Sequence, residues 1–364
     1  MLVGAGAAAL AAVTAACSSS PGPNAAASST VPPATTAPPT TTGTTTSPAA
    51  YVPPGAAEWA TTEAATTGWS APAIQELADF VGTRNSSTLI ILAGGRILTE
   101  QYWGTAGPTT AQDIASCQKS VVSTLIGAAV DRKLLAIEDS ASKYLPAGWT
   151  NATPDQEAAI TIRNLLTMTS GLDQDTLKVV APPGTKWAYN TSAYQKLRTV
   201  VENASSKGIE AVTREWLWDS IGVSDLSVWV PRGGNGPYAK DATGARLWGL
   251  NMTARDMARF GLLVQRKGRW GDRDVVSAVW FEQALTTSQD LNRDYGFLWW
   301  LLFGHRPGMP SDLVAALGLG DQKIYVCPSL DVVVTRQGTT AGAASETSSD
   351  FDTELLGRLV AARA

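Results

Sequence analysis

The sequence contains a single histidine, His305, in the stretch LLFGHRPG. A Ser-His-Asp triad would have to use that residue, and the Gly and Pro around it mark a surface turn. A metal site built on several histidines is excluded outright. Cysteine is scarce too: three residues, none in a CxxC pair, which rules out a Cys-rich zinc site. Lys and Arg number 28 against 32 Asp and Glu, for a net charge of −4, and charged residues make up 16% of the chain. There is no basic footprint, so nucleic acid is not expected as a partner. At 364 residues there is room for one large domain or two medium ones. Any serine chemistry here needs a base other than histidine, and lysine is the natural candidate.

Residues 113–130, DIASCQKSVVSTLIGAAV, offer such a pair. Ser116 and Lys119 stand three apart where an apolar helix begins, and side chains at i and i+3 share a helical face. A neutral Lys119 would take the proton from Ser116 Oγ and make it a nucleophile. Lysine ordinarily titrates near a pKa of about 10.4 and a working base needs roughly 7–8, so the surroundings must supply on the order of 4 kcal/mol. Burial, a positive neighbourhood and a helix N-terminus all push that way. The run behind the pair (Val121, Val122, Leu125, Ile126, Ala128, Ala129, Val130) is apolar nearly all round, as in a buried helix. Spacing alone does not decide the matter. Ser140 and Lys143 repeat it in DSASKYLPAGW without an apolar helix behind them. A Ser116 that caps a core helix, with Lys119 snorkelling to water, fits the same letters.

Residues 1–16 are almost all Ala, Val, Leu and Gly and lead into Thr14-Ala15-Ala16-Cys17. This is the pattern of a signal peptide's apolar run and cleavage site. Cys17, directly after it, resembles the lipid-acceptor cysteine of a bacterial lipoprotein. Thr14 departs from the aliphatic residue usual in that box, and no Lys or Arg precedes Arg84. A plain cleaved signal peptide with a chance cysteine is the alternative. Residues 17–55, mostly Ser, Thr, Pro, Ala and Gly, read as a lipidated cysteine followed by a disordered linker. The expected location is therefore the cell envelope, with the lipid holding residues 56–364 to the outer face of the bacterial cytoplasmic membrane.

Further along, 70–84 reads as an amphipathic helix capped by Ser70, and 88–103 as two strands around Gly94-Gly95. Residues 105–112 read as a loop. From 113 to 310 the pattern is mostly helical, including 160–173, 193–204 and 251–268. Strands follow at 314–320, 323–328 and 331–338, then a helix at 349–363. The order predicts an α+β fold: an antiparallel sheet of about five strands from both chain ends, flanked by terminal helices, with a large α-rich part inserted. The sheet part is expected at about 70–110 and 312–364, the helical part at about 111–311, with a cleft between them as the default site.

These residues together resemble the serine β-lactamase and penicillin-binding-protein superfamily, in its class C-like esterase and amide-hydrolase branch, from about residue 70 to the C-terminus. Ser116-Cys117-Gln118-Lys119 matches the Ser-x-x-Lys motif. NLLTMTSGLD (164–173), PPGTKWAYNTSAYQKL (182–197), GLNMTARDMARFGLLV (249–264) and DYGFLWW (294–300) are similar to family stretches in the same order. The resemblance implies that Tyr189 is the catalytic tyrosine, exchanging protons with Lys119 and donating one to the leaving group. It implies an oxyanion site made by the amides of Ser116 and Leu319, with Gly318, Thr191 and Trp187 around the substrate. Two departures matter. The second motif, commonly Tyr-x-Asn, is Tyr189-Asn190-Thr191 here. The third, commonly Lys-Thr-Gly or His-x-Gly, is Ala316-Leu317-Gly318, which lacks the cation that grips a β-lactam carboxylate.

The expectation is a serine hydrolase acting on a small-molecule ester or amide through an acyl-enzyme, with no metal or organic cofactor and no nucleic-acid partner. A β-lactamase or D,D-peptidase is the first alternative; a catalytically idle binding or sensor domain of the same fold is the second. Cys117 and Cys327 read as buried thiols, with a disulfide as the alternative in an oxidising envelope. Trp299-Trp300 reads as core.

Overall fold

The computed structural model describes residues 51–55, 58–233, 238–342 and 350–363. The expected leader, Cys17 and the linker up to residue 50 lie outside the described residues. Tyr51–Gly55, which composition assigns to the linker, lie against the body: the Tyr51 hydroxyl accepts the Ala60 amide at 2.8 Å, and the Gly55 carbonyl accepts from Arg259.

Helix α1 (Ala71–Gly82) starts where Ser70 accepts the Ala73 amide and Pro72 occupies the first turn. Strands β1 (Ser86–Ala93) and β2 (Arg96–Tyr102) form a hairpin. Its two central glycines, Gly94 and Gly95, both have positive φ (59° and 78°), the conformation that a two-residue hairpin turn requires. A short strand, β3 (Ala111–Asp113), occupies the end of the expected loop and leads into α2 (Gln118–Asp131). Then come α3 (Thr191–Ser205), β4 (Val228–Pro231), β5 (Trp248–Thr253) and α4 (Ala254–Gln265). The chain closes with β6 (Val314–Gly318), β7 (Gln322–Cys327), β8 (Val332–Gly338) and α5 (Asp350–Ala361).

The main sheet has the order β2-β1-β8-β7-β6, antiparallel throughout, so its strands come from both chain ends as the element order predicts. Alternation along β7 and β8 sets what covers each face. Tyr325 and Arg336 point to α5, where Tyr325 donates to Asp352 and the Arg336 guanidinium lies 5.3 Å from the Phe351 ring centroid. The intervening residues Ile324 and Val333 point to α4, whose Gly261 lies so close that a Cβ would meet Val333 at 2.5 Å. Helices α1 and α5 share the first face: Phe80 stacks on Phe351 at 5.9 Å, and the Ser70 amide donates to Ala362 O. Both faces are therefore covered, which is why Leu89–Ala93 is an unbroken buried apolar run rather than an alternating one.

A second sheet, β3-β5-β4, was not expected from the sequence. Its strands are short, and β3 reads Ala-Gln-Asp, with no apolar periodicity to reveal it. Residues 160–173 are helical only over Ile162–Leu166. Met168 (φ 59°) and Gly171 (φ 73°) turn the backbone left-handed and end the helix early.

Candidate active site

Ser116 lies in a single 3-10 turn, Ala115–Cys117, immediately before α2. Ala115 has φ 48°, a left-handed conformation that costs a non-glycine residue about 1 kcal/mol. It is held by Asp113, whose Oδ1 accepts the Ala115 amide at 2.9 Å. From this kink the chain enters α2, in which Gln118 to Ala129 are all buried. Lys119, one turn beyond Ser116, therefore cannot snorkel: it is 2% exposed. Its Nζ donates to Ser116 Oγ at 2.8 Å and to Thr191 Oγ1 at 3.2 Å.

Burial pulls the Lys119 pKa down to about 7, and the positive charge of Arg232 adds to the effect. Keeping the ammonium in this place costs roughly 5 kcal/mol relative to water. Near neutral pH a substantial fraction of Lys119 is the free amine, with a lone pair next to the Ser116 hydroxyl. The repeat of the motif contrasts sharply. Ser140 caps a short turn, and Lys143 is 60% exposed and paired with Asp139.

Tyr189 and Thr191 flank Asn190, the N-cap of α3, whose side chain accepts the Ala193 amide and donates to Leu172 O at 2.9 Å. The two residues are thus presented from a rigid helix start. Thr191 opens α3, and its hydroxyl accepts from Lys119. Lys119 Nζ sits 4.8 Å from the ring centroids of both Tyr189 and Tyr194. The Tyr189 phenol is pushed up to about 12 by burial, partly offset by its contact with Ser116, so it is a protonated donor at neutral pH. Tyr189 thus turns its ring face to Lys119, while Ser116 acts on its phenol.

Tyr189 stacks on Trp300 at 5.7 Å, Trp187 meets Trp300 edge-on at 6.3 Å, and Tyr295 closes the group at 4.8 Å from Trp300. Trp187 and Tyr189 are half-buried, so they form the outer layer of an aromatic wall backed by buried Trp300 and Tyr295. Trp299, fully buried, packs on Phe260 instead.

The edge strand β6 runs past the Ala115–Cys117 turn. A Cβ on Gly318 would meet Ile114 O at 2.4 Å, so only glycine lets the strand end approach this closely. Cys117 ties the turn to the same edge, its Sγ donating to Ala316 O and Gln322 O at 3.3 Å each. Leu319 follows at the β6–β7 turn with its side chain 87% exposed. The nearest downstream lysine, Lys323, is buried in ion pairs with Asp321 (3.0 Å) and Asp352 (2.8 Å). Cys117 and Cys327 are both free thiols. His305 is exposed on the surface beside Asp294.

The structure adds residues that no motif in the sequence marks. The Trp248 carbonyl accepts from Gln118 Nε2 (3.1 Å), Gln195 Nε2 (2.9 Å) and Arg232 Nε (3.2 Å), joining α2, α3 and the segment after β4 behind the site. Arg232 also forks onto Asp113 at 2.7 and 3.2 Å. Among the described residues there is no His, Cys, Asp and Glu grouping able to hold a metal ion.

The family model described as Beta-lactamase matches residues 73–356. The chain is 22% identical over 294 residues to the 6-aminohexanoate-dimer hydrolase of Paenarthrobacter ureafaciens, covering 69% of this chain and 72% of that one. A penicillin binding protein from Bacillus halodurans has a similar fold, with TM-score 0.60 and 17% identity over 79% of this chain and 98% of its own. So does a β-lactamase from Mycobacterium bovis, with TM-score 0.58 and 18% identity over 79% and 98%. The sheet built from both chain ends is thus part of a known architecture: the chain belongs to the Beta-lactamase family.

Proposed function

We propose that this protein is a serine hydrolase that cleaves a small ester or amide through an acyl-enzyme on Ser116, with Lys119 as general base and Tyr189 as proton donor. The observation that carries the reading is the 2.8 Å hydrogen bond from a buried Lys119 amine, its pKa near 7, to the Ser116 hydroxyl. Ser116 Oγ attacks the carbonyl carbon as its proton passes to the Lys119 lone pair. The carbonyl oxygen becomes an oxyanion, held by the backbone amides of Ser116 and Leu319. As the tetrahedral centre collapses, the bond to the leaving alkoxide or amine breaks. That group takes a proton from Tyr189, and Lys119 gives the phenolate the proton it took from Ser116. Water then attacks the acyl carbon, gives one proton to Lys119 and releases the acid. The Ser116 hydroxyl is restored. Thr191 steadies Lys119, and Trp187 with Gly318 shapes the substrate cleft.

The absence of a third-motif cation at Ala316 favours a neutral ester or amide over a β-lactam. The chain is also inferred to be exported and held at the outer face of the cytoplasmic membrane through a lipid on Cys17. Replacing Cys17 with Ala would release the protein from membranes; if it stays bound, the anchor lies elsewhere.

The central test treats the purified protein with a fluorophosphonate probe and a labelled penicillin and locates any adduct by mass. Fluorophosphonate on Ser116 without penicillin supports the reading. Both labels point to a penicillin-recognising enzyme, and neither label on a folded protein points to an idle binding domain. A Lys119→Ala variant should lose labelling; labelling at the parent rate removes Lys119 as base.

A further inference from the structure

Ser116 is aimed by a strained residue, Ala115, and the group that holds the strain is itself held. Asp113 Oδ1 accepts the Ala115 amide at 2.9 Å while both its oxygens receive the Arg232 guanidinium, Nη1 at 2.7 Å and Nη2 at 3.2 Å. The third side of that guanidinium, Nε, is fixed on the Trp248 carbonyl, which also receives Gln118, the residue before Lys119. A planar fork fixed on three sides has little freedom, so the carboxylate it grips has little either. Gly249 sits beneath it, where a Cβ would stand 3.4 Å from the guanidinium and 3.5 Å from Asp113.

We propose that Arg232 is a positioning residue for the nucleophile turn: its fork on Asp113 fixes the carboxylate that holds the Ala115 amide, and with it the left-handed kink that delivers Ser116 to Lys119. The proposal rests on Ser116 and Lys119 acting as described above. Arg232 has a second effect through its charge, which disfavours a proton on Lys119. The other titratable groups facing Lys119 are Tyr189, Tyr194 and Cys117, and burial keeps all three protonated, so they contribute no competing charge near neutral pH. Asp113 is the carboxylate paired with Arg232, and the charge that acts on Lys119 is that of Arg232.

The test compares Arg232→Gln and Arg232→Lys with the parent by kcat and KM on p-nitrophenyl butyrate as a function of pH. NMR titration of carbon-labelled lysines, with the Lys119 signal assigned by its loss in Lys119→Met, runs alongside. Arg232→Gln should lower kcat about tenfold to a hundredfold with KM within about twofold. It should also move both the acid limb and the Lys119 titration to higher pH, which a purely structural brace would not do. Arg232→Lys keeps the charge and loses the fork, so it should lower kcat while leaving the titration close to the parent's. A folded Arg232→Gln protein with parental kcat and an unmoved Lys119 titration overturns the proposal. If Arg232→Gln does not fold, parental kcat in Arg232→Lys overturns it instead. The NMR arm needs no turnover: a parent that neither hydrolyses nor labels defeats the functional reading, while the Lys119 shift still decides the role of Arg232.

Discussion

Gly318 and Ile114 belong to different parts of the fold, yet a single methyl group at Gly318 would come within 2.4 Å of the Ile114 carbonyl. Strand β6 and the nucleophile turn are in backbone contact at that point. The separation between the Ser116 and Leu319 amides is therefore set by main chain rather than by adjustable side chains.

Gly318→Ala tests that contact. The added Cβ must push β6 away from the turn, costing about 1–3 kcal/mol of stability. Displacement of the oxyanion donors should lower kcat about a hundredfold. Thermal melts and ester kinetics measure the two effects, and a variant with parental kcat would show that Leu319 is not an oxyanion donor.

Lys119 makes two opposite demands on the protein. Its pKa near 7 means kcat/KM for an activated ester should fall below pH 7 as the base becomes protonated, while Tyr189, near 12, leaves the mildly alkaline range flat. For stability, the folded state has the lower pKa, so the unfolded chain binds more protons between about 7 and the ordinary lysine value of 10.5. Stability from this residue thus rises with pH across that window and is lowest below it. Lys119→Met should abolish activity and raise the melting temperature, most at pH 6 and progressively less towards pH 10. A melting temperature lowered at pH 6 would show that Lys119 is not desolvated at the ammonium's expense.

Thr191→Val removes the hydroxyl that accepts from Lys119 at 3.2 Å and keeps the shape. Losing an acceptor for the ammonium should move the acid limb to lower pH, opposite to the loss of Arg232, and slow turnover about tenfold. Thr191→Ser should retain parental behaviour. A pH–rate profile separates the outcomes; an unchanged limb in the valine variant would leave Thr191 without a part in the proton transfer.

The buried pair Lys196–Asp241, at 2.6 Å with side chains 6% and 1% exposed, pins α3 to the segment before β5. Asp241→Ala leaves the ammonium without its partner and should cost about 3–5 kcal/mol. Burial raises the Asp241 pKa, but its bonds to Lys196 and Thr243 outweigh that and leave it lowered. Its contribution is therefore present above the ordinary aspartate range and lost as pH falls through the lowered value. Urea unfolding of parent and variant should converge in strong acid; a constant gap there would show that the carboxylate's charge is not what stabilises the pair.

Much of this was legible from the letters. Long apolar runs and turn glycines locate the main-sheet strands, because burial on both faces leaves a signal that neighbours cannot erase. The Ser116 and Lys119 spacing was legible, but the same letters allowed Lys119 to snorkel to water, and only the packing of the buried helix decides that. Other features left no trace. Asp113 and Arg232 lie 119 residues apart, and nothing local distinguishes them from other surface charges. The short β3 strand and the truncated helix at Ile162–Leu166 were set by tertiary pairing and left-handed residues, which override local propensity. Tyr51 and Gly55 meet partners on β2 and α4 that their own composition does not announce.

Cys117 sits next to Ser116 in sequence, yet its thiol is completely buried, with its pKa pushed up to about 12 by that burial and its sulfur hydrogen-bonded to two carbonyls of the sheet edge. A thiolate is the species that alkylating agents and peroxide attack, and almost none exists here. Iodoacetamide or mild oxidants applied to the folded protein should therefore pass over this residue and spare activity. A reagent that captures alcohols is the one that would distinguish Ser116 from its neighbour.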